Sequence, residues 1–286
     1  MSLQRHRADW ERLAADDPLW AVLTRPGRRG GGWEVDEFLA TGAAEIDGVL
    51  EVARELGLPA GQARALDFGC GAGRLTRALA RHFEKAVGID IAEGMTRAAS
   101  RLNADVPNAT FVVNDRPDLS SFADASFDLV YSSLVLQHLP GRRAVERYVR
   151  DFLRVARSDG LVVFGVPDAI RFPYRLQLSR RAYALLRMSG VSEDWLLRRT
   201  PLTPMRMTVV AERYVRMLCD SAGAAILHVE PSTDGPVRTH RYYVSPSSAR
   251  YTDSWLRAAA SQVKPDARAR PRSRSTSVWA SASSTP

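Results

Sequence analysis

The chain has 286 residues, of which 45% are hydrophobic and 25% are charged. This composition is typical of a globular protein and excludes a wholly disordered or collagen-like chain. No stretch approaches the ~18 uninterrupted apolar residues of a membrane-spanning helix, and the charged N-terminus lacks the apolar stretch of a secretory signal. The two cysteines, Cys70 and Cys219, predict neither a disulfide framework nor a metal site, and we expect a cytoplasmic protein with no membrane partner.

The net charge of +8 could suggest a nucleic-acid partner. However, residues 245–286 alone contribute +5, which leaves +3 for the rest of the chain. The basic residues are almost all arginine, with Lys85 and Lys264 the only lysines, as in a protein from a GC-rich genome. We therefore expect no nucleic-acid partner.

The N-terminal segment, residues 1–32, reads as short amphipathic helices that end in the flexible turn PGRRGGG. Apolar residues then recur at helical spacing from Glu34 to Leu56, where Gly57 and Pro59 stop the helix.

Strands and helices alternate after this point. Strands are predicted at Arg64–Phe68, Lys85–Ile89, Thr110–Asn114, Phe127–Ser132 and Leu161–Val166, with helices at Leu75–Arg81, Gly94–Leu102 and Arg142–Ala156. Such alternation predicts an α/β fold with a mostly parallel, doubly wound, Rossmann-like sheet of seven strands.

The last part of the domain departs from this alternation. Residues 167–207 are rich in arginine and aromatic residues and predict a helical lid inserted over the carboxyl edge of the sheet. A helix at Val209–Cys219 and strands at Ala225–Val229 and Thr239–Val244 follow, and the short turn between these strands predicts an antiparallel C-terminal hairpin. Residues 245–286 are rich in Ser and Arg and predict a disordered tail.

The stretch LDFGCGAGRL at residues 66–75 is a strand that runs into a glycine cluster and opens a helix. The glycines permit a tight turn and let a ligand approach bare backbone, where amide groups at the helix start can donate to it. Asp90 ends the next strand, where a carboxylate can accept hydrogen bonds from both hydroxyls of a ribose.

The spacing of Asp90 also fits a dinucleotide fingerprint. Three features favour another cofactor: Asp67 precedes the glycines, Asp115 closes the third strand, and the sheet ends in a hairpin instead of a second nucleotide-binding half.

In these blocks the chain resembles the class I S-adenosylmethionine-dependent methyltransferases. The resemblance covers residues 33–244, and a weaker one, through DPLWAVL at residues 17–23, points to a bacterial subgroup that acts on small molecules or glycans. The matching blocks are ALDFGCGAGRLTRAL, AVGIDIAEGM, FVVND, SFDLVYSSLVLQHLP and DGLVVFGVP.

The resemblance implies S-adenosylmethionine as cofactor and a role for each matching position. Backbone around Gly69, Gly71 and Gly73 would hold the methionine part, with Asp67 near its amino group. Asp90 would bind the ribose, and the adenine would lie among Ile91, Met95, Asp115 and Arg116. Ser132 and Ser133 would border the methyl group and the acceptor pocket.

The acceptor side offers His138, in Gln137-His138-Leu139-Pro140, as a candidate general base, because imidazole can exchange protons near neutral pH. A structural histidine is the alternative. Asp168 could orient an acceptor hydroxyl or be a plain loop acid.

The sequence predicts transfer of a methyl group to a small-molecule or glycan acceptor, with O-methylation as the leading reaction. An RNA methyltransferase, a nicotinamide oxidoreductase and a non-catalytic cofactor-binding scaffold are the alternatives. Neither the acceptor nor the oligomeric state follows from the residues.

Overall fold

The computed structural model describes residues 3–192, 195–196, 199–200, 202, 205 and 207–247. Its centre is a seven-stranded sheet in the order β3-β2-β1-β4-β5-β7-β6. β1 to β5 are parallel, and β7 is antiparallel to both β5 and β6. The predicted fold class is therefore confirmed. The strands are β1 (Arg64–Phe68), β2 (Lys85–Asp90), β3 (Ala109–Val113), β4 (Phe127–Ser132), β5 (Ala156–Ile170), β6 (Ala225–Asp234) and β7 (Val237–Ser245).

Helices cover both faces of the sheet and lie beyond its carboxyl edge. They are α1 (Leu3–Asp16), α2 (Pro18–Val22), α3 (Val35–Glu55), α4 (Arg74–Leu79), α5 (Glu93–Leu102), α6 (Arg142–Val155), α7 (Leu178–Met188) and α8 (Glu212–Ser221). Single 3-10 turns lie at Leu136–His138 and Tyr174–Leu176. None of the helices in the described ranges is long and apolar enough to cross a membrane.

Two hydrophobic cores form because side chains alternate along each strand. Leu66 packs with α6 and α8 on one face, whereas its neighbour Ala65 packs with α3 and α4 on the other. β1 lies between β2 and β4, at the point where the strand order reverses. In open α/β sheets, ligands bind at the carboxyl ends of the strands at this point.

The boundary predicted for the lid insertion was wrong by a few residues. β5 continues through Pro167 to Ile170, because it pairs with β7 up to Ile170 and Val237. Beyond it, buried Tyr183 of α7 and Leu196 pack against Leu13 of α1 and Met95 of α5. The insertion thus contacts the N-terminal helices beside the sheet edge. The predicted tail lies outside the described residues apart from its first three, 245–247.

Candidate functional site

The glycine loop between β1 and α4 is fixed by close packing and by backbone hydrogen bonds. Gly69 has φ +74°, and a Cβ at this position would lie 2.3 Å from Cγ2 of Val135. The amides of Gly69 and Cys70 both donate to the carbonyl of Ile89, at 2.8 and 2.9 Å. The loop therefore follows the end of β2 closely and forms one wall of a cavity of about 370 Å³, a volume within the range of small-molecule sites.

Asp90 lines this cavity and is held by backbone donors. One carboxylate oxygen accepts from the amide of Gly71 at 3.0 Å, and the other accepts from the amide of Ala92 at 2.9 Å. Burial raises the pKa of Asp90 to about 6, although these backbone donors act in the opposite direction. Each oxygen retains capacity for a further hydrogen bond, so the carboxylate can accept from two neighbouring hydroxyl groups.

Asp67 lies at the end of β1, beneath the loop, and does not line the cavity. Its Oδ2 accepts from the Thr76 hydroxyl at 2.6 Å, and its Oδ1 is buried without a hydrogen-bond partner among the described residues. Burial raises the pKa of Asp67 to about 7. An unsatisfied buried oxygen costs free energy, which a positively charged or hydrogen-bonding ligand group would recover.

Arg74, at the start of α4, is a site residue that the sequence reasoning missed. Its side chain is only 2% exposed, yet it lines the cavity. Nη1 donates to Oε2 of Glu45 in α3 at 2.8 Å, while Nε is buried with no partner in the described ranges. Oε1 of Glu45 accepts from the Tyr131 hydroxyl at 2.7 Å. The only sequence signal for Arg74 is its position directly after the glycine run.

The opposite end of the cavity combines predicted and unpredicted residues. Ile91 and Met95 line it, as the predicted adenine-binding site requires. Asp115 and Arg116 are exposed and do not line it, and the buried side chain of Asn114 does so instead. The physical reason is that β3 ends at Val113, one residue earlier than predicted, so Asp115 turns toward solvent.

Helix α1 forms a wall of the cavity that no sequence motif predicts. Both carboxylate oxygens of Glu11 accept backbone hydrogen bonds at the start of α5, from Glu93 at 2.7 Å and Gly94 at 2.9 Å. This contact joins α1 to the segment directly after Asp90. His6 and Trp10 of the same helix line the cavity.

His138 also lines the cavity, and its ring meets Trp10 edge to face at 5.3 Å between centroids. Ser132 is buried and donates to the carbonyl of Phe68 at 3.3 Å, so it joins β4 to β1, and its neighbour Ser133 lines the cavity. Gly73 begins α4 with φ +84° behind the cavity wall.

Two other candidates lie elsewhere. Asp168 is not in a loop, because it lies in β5. It forms a bidentate ion pair with Arg238, whose Nε and Nη2 donate to the two carboxylate oxygens at 2.7 and 2.6 Å. Within the described ranges, no group of three or more His, Cys, Asp or Glu side chains could hold a metal ion.

Comparisons with known proteins agree with this geometry. Residues 66–164 match a family described as a methyltransferase domain. The chain is 34% identical over 99 residues to 2-methyl-6-phytyl-1,4-hydroquinone methyltransferase of Synechocystis, covering 34% of this chain and 30% of that protein. It is 30% identical over 136 residues to ubiquinone biosynthesis O-methyltransferase of Neisseria meningitidis, covering 46% of this chain and 56% of that protein.

The chain thus spans between about a third and a little over half of the length of these two curated relatives. Magnesium protoporphyrin IX methyltransferase of Synechocystis, solved with bound S-adenosylhomocysteine, superposes with a TM-score of 0.56 at 18% identity. That alignment covers 85% of this chain and 99% of the solved one. Residues 66–164 of the chain therefore match a methyltransferase domain, and the chain shares its fold with the solved methyltransferase.

Proposed function

We propose that the protein transfers a methyl group from S-adenosylmethionine to a hydroxyl group of a small-molecule or glycan acceptor. The observation that carries the proposal is the orientation of Asp90 by the amides of Gly71 and Ala92 in a cavity opened by the glycine loop. A carboxylate held in this way is complementary to a ribose diol.

The unsatisfied atoms of the site fit the amino-acid end of the same cofactor. Asp67 Oδ1 and Arg74 Nε are both buried and without partners among the described residues, and they lie at the two ends of the glycine loop. A carboxylate oxygen matches an ammonium group and a guanidinium N–H matches a carboxylate. We assign the carboxylate to Arg74 and the loop backbone at Gly69 and Gly71, which line the cavity. We assign the amino group to the part of the loop above Asp67, whose buried carboxylate would attract it from beneath.

The other end of the cavity is proposed to hold the adenine. Ile91 and Met95 offer apolar surface, and the side-chain amide of Asn114 offers a hydrogen-bonding group beside them. Asn114 takes the place that the sequence resemblance gave to Asp115, while the backbone of Arg116 stays near this end through the hydrogen bond from Tyr148 to its carbonyl at 3.2 Å.

When bound, the cofactor supplies an electrophilic methyl group, so the protein's task is mainly to place the acceptor in line with it. His138 is proposed as the base that accepts the proton lost by the acceptor hydroxyl. Ser132 fixes the end of β4 at this border, and Ser133, Trp10 and His6 form the surrounding wall. This wall would exclude water from the reacting groups.

The names of the relatives support a small acceptor. One is a hydroquinone methyltransferase and another is an O-methyltransferase of ubiquinone biosynthesis, and trans-aconitate 2-methyltransferases are further relatives. The name of the ubiquinone enzyme specifies O-methylation, and we propose a small-molecule oxygen acceptor here rather than an RNA substrate.

Calorimetric titration with S-adenosylmethionine and S-adenosylhomocysteine tests the proposal, with NAD as the control ligand. Both sulfur compounds should bind the wild type and Asp47→Asn, since Asp47 is an exposed acid of α3 that does not line the cavity. Asp90→Asn should weaken both at least about tenfold, the factor of one charge-assisted hydrogen bond. Binding of NAD without the sulfur compounds would contradict the proposal.

A further inference from the structure

A second cavity, of about 600 Å³, lies on the α6 and α8 side of the sheet beyond its carboxyl edge. It is formed where the extended end of β5 passes the first turns of α6 and α8, and it shares no lining residue with the cavity described above. Its walls are therefore a separate site, and the methyltransferase function does not account for them.

Three arginines line this second cavity: Arg142, Arg175 and Arg213. In the part of the chain that the structure describes, the side chains of Arg175 and Arg213 form no hydrogen bond or ion pair. The guanidinium carbon of Arg142 lies 4.4 Å from the centre of the Tyr214 ring. Three like charges on one cavity repel each other unless an anion lies among them.

The nearby acids leave Arg175 and Arg213 without an acidic partner among the described residues. Asp168, which also lines the cavity, is held by Arg238 in the bidentate pair. Glu146 accepts from the Tyr214 hydroxyl and from Arg150 and attracts Arg142. The positive charges of Arg175 and Arg213 are thus left for a ligand.

The remaining wall is apolar. Ile170, Val209 and Met217 line the same cavity, and Val209 and Met217 are 38% and 57% exposed. Exposed apolar side chains beside unpaired guanidinium groups suit a molecule that is apolar at one end and anionic at the other. Guanidinium groups bind carboxylate and phosphate through paired N–H donors.

We propose that this second cavity binds a small organic anion, with its carboxylate or phosphate among Arg142, Arg175 and Arg213 and its apolar part against Ile170, Val209 and Met217. The site is independent of the methyl-transfer proposal, because neither its residues nor its ligand enter the first cavity.

The test uses 8-anilinonaphthalene-1-sulfonate, a fluorescent dye with an apolar body and one anionic group. Dye binding is titrated on the full chain, and citrate or inorganic phosphate is then added to displace it. The variants are Arg175→Gln/Arg213→Gln and the matched control Arg54→Gln/Arg81→Gln, which removes the same charge from two exposed positions outside both cavities.

The double variant of the cavity should bind the dye at least about tenfold more weakly and lose its displacement by citrate and phosphate. The control should keep both properties. Stronger displacement by citrate would assign a carboxylate ligand, and stronger displacement by phosphate a phosphorylated one.

Equal dye affinity in the two double variants would overturn the proposal. So would displacement by S-adenosylhomocysteine instead of citrate or phosphate, since the dye would then occupy the first cavity. Because no step measures methyl transfer, the result does not depend on the proposed function, and circular dichroism confirms that each variant is folded.

Discussion

Glu45 is the acidic centre of a partly buried cluster beside the glycine loop, and its replacement by glutamine tests how this cluster stabilises the fold. Its carboxylate accepts from Tyr131 at 2.7 Å and from Arg74 at 2.8 Å, and Arg241 lies 3.6 Å away. Burial by itself would raise the pKa of Glu45. The two guanidinium groups and the hydroxyls of Ser133 and Tyr131 outweigh burial and lower the pKa from 4.5 to about 2.

The lowered pKa makes the contribution of Glu45 to stability depend on pH. Because the pKa is lower in the folded chain, the ionised carboxylate stabilises the fold fully above pH 4.5, and this contribution is lost as the pH falls toward 2. The difference in pKa corresponds to about 3 kcal/mol of unfolding free energy at pH 7 and to about 1 kcal/mol at pH 3.

Urea unfolding of the wild type and Glu45→Gln at both pH values measures this difference. Glu51→Gln, an exposed substitution on the same helix, is the control and should change stability by less than about 0.5 kcal/mol. We expect a loss of about 3 kcal/mol in Glu45→Gln at pH 7 that shrinks at pH 3. A loss that is the same at both pH values would show that the charge of Glu45 does not stabilise the fold.

The residues around the first cavity give three further tests. Burial raises the pKa of Asp90 to about 6, so most of the carboxylate is protonated at pH 5. Affinity for S-adenosylhomocysteine, measured by calorimetry, should therefore fall about tenfold from pH 7 to pH 5. An affinity that does not change with pH would contradict this. Arg74→Met should weaken S-adenosylhomocysteine but not 5′-methylthioadenosine, which lacks the amino-acid end, and equal losses would exclude the assigned role. In urea unfolding, Gly69→Ala should lower the unfolding free energy at least about 1 kcal/mol more than Gly57→Ala. The two glycines have similar φ angles, +74° and +68°, but a Cβ at Gly69 would clash with Val135, whereas the space around Gly57 is open.

The central part of the fold could be predicted because local patterns determine it. Apolar runs bounded by glycines and acids predict β1, β2 and β4, and a short turn predicts the antiparallel hairpin. The sequence does not predict the full length of β5, since the residues at its carboxyl end pair with β7 where the strand is less buried and lack the apolar composition of Leu161–Val166.

The site could be predicted only where one short motif contains it. The glycine loop and Asp90 lie within 22 residues, so one motif predicts both. Arg74 and Glu45 are 29 residues apart in the chain and lie on different helices. No periodicity in the sequence predicts a contact between them. Asn114 and Asp115 are neighbours in the chain, and β3 ends one residue earlier than the sequence predicts. The buried side chain after the strand is therefore that of Asn114, whereas the predicted one, Asp115, is exposed.

The cavity walls divide along the sequence in a way that bears on acceptor choice. The glycine loop, Asp90 and His138 lie within the matched family domain, whereas His6, Trp10 and Val22 line the same cavity from a segment well before it. The N-terminal helices also support the cofactor side, because Glu11 binds the start of α5 and Val22 packs closely against Gly71. A change in α1 or α2 is therefore expected to affect acceptor binding and cofactor binding together.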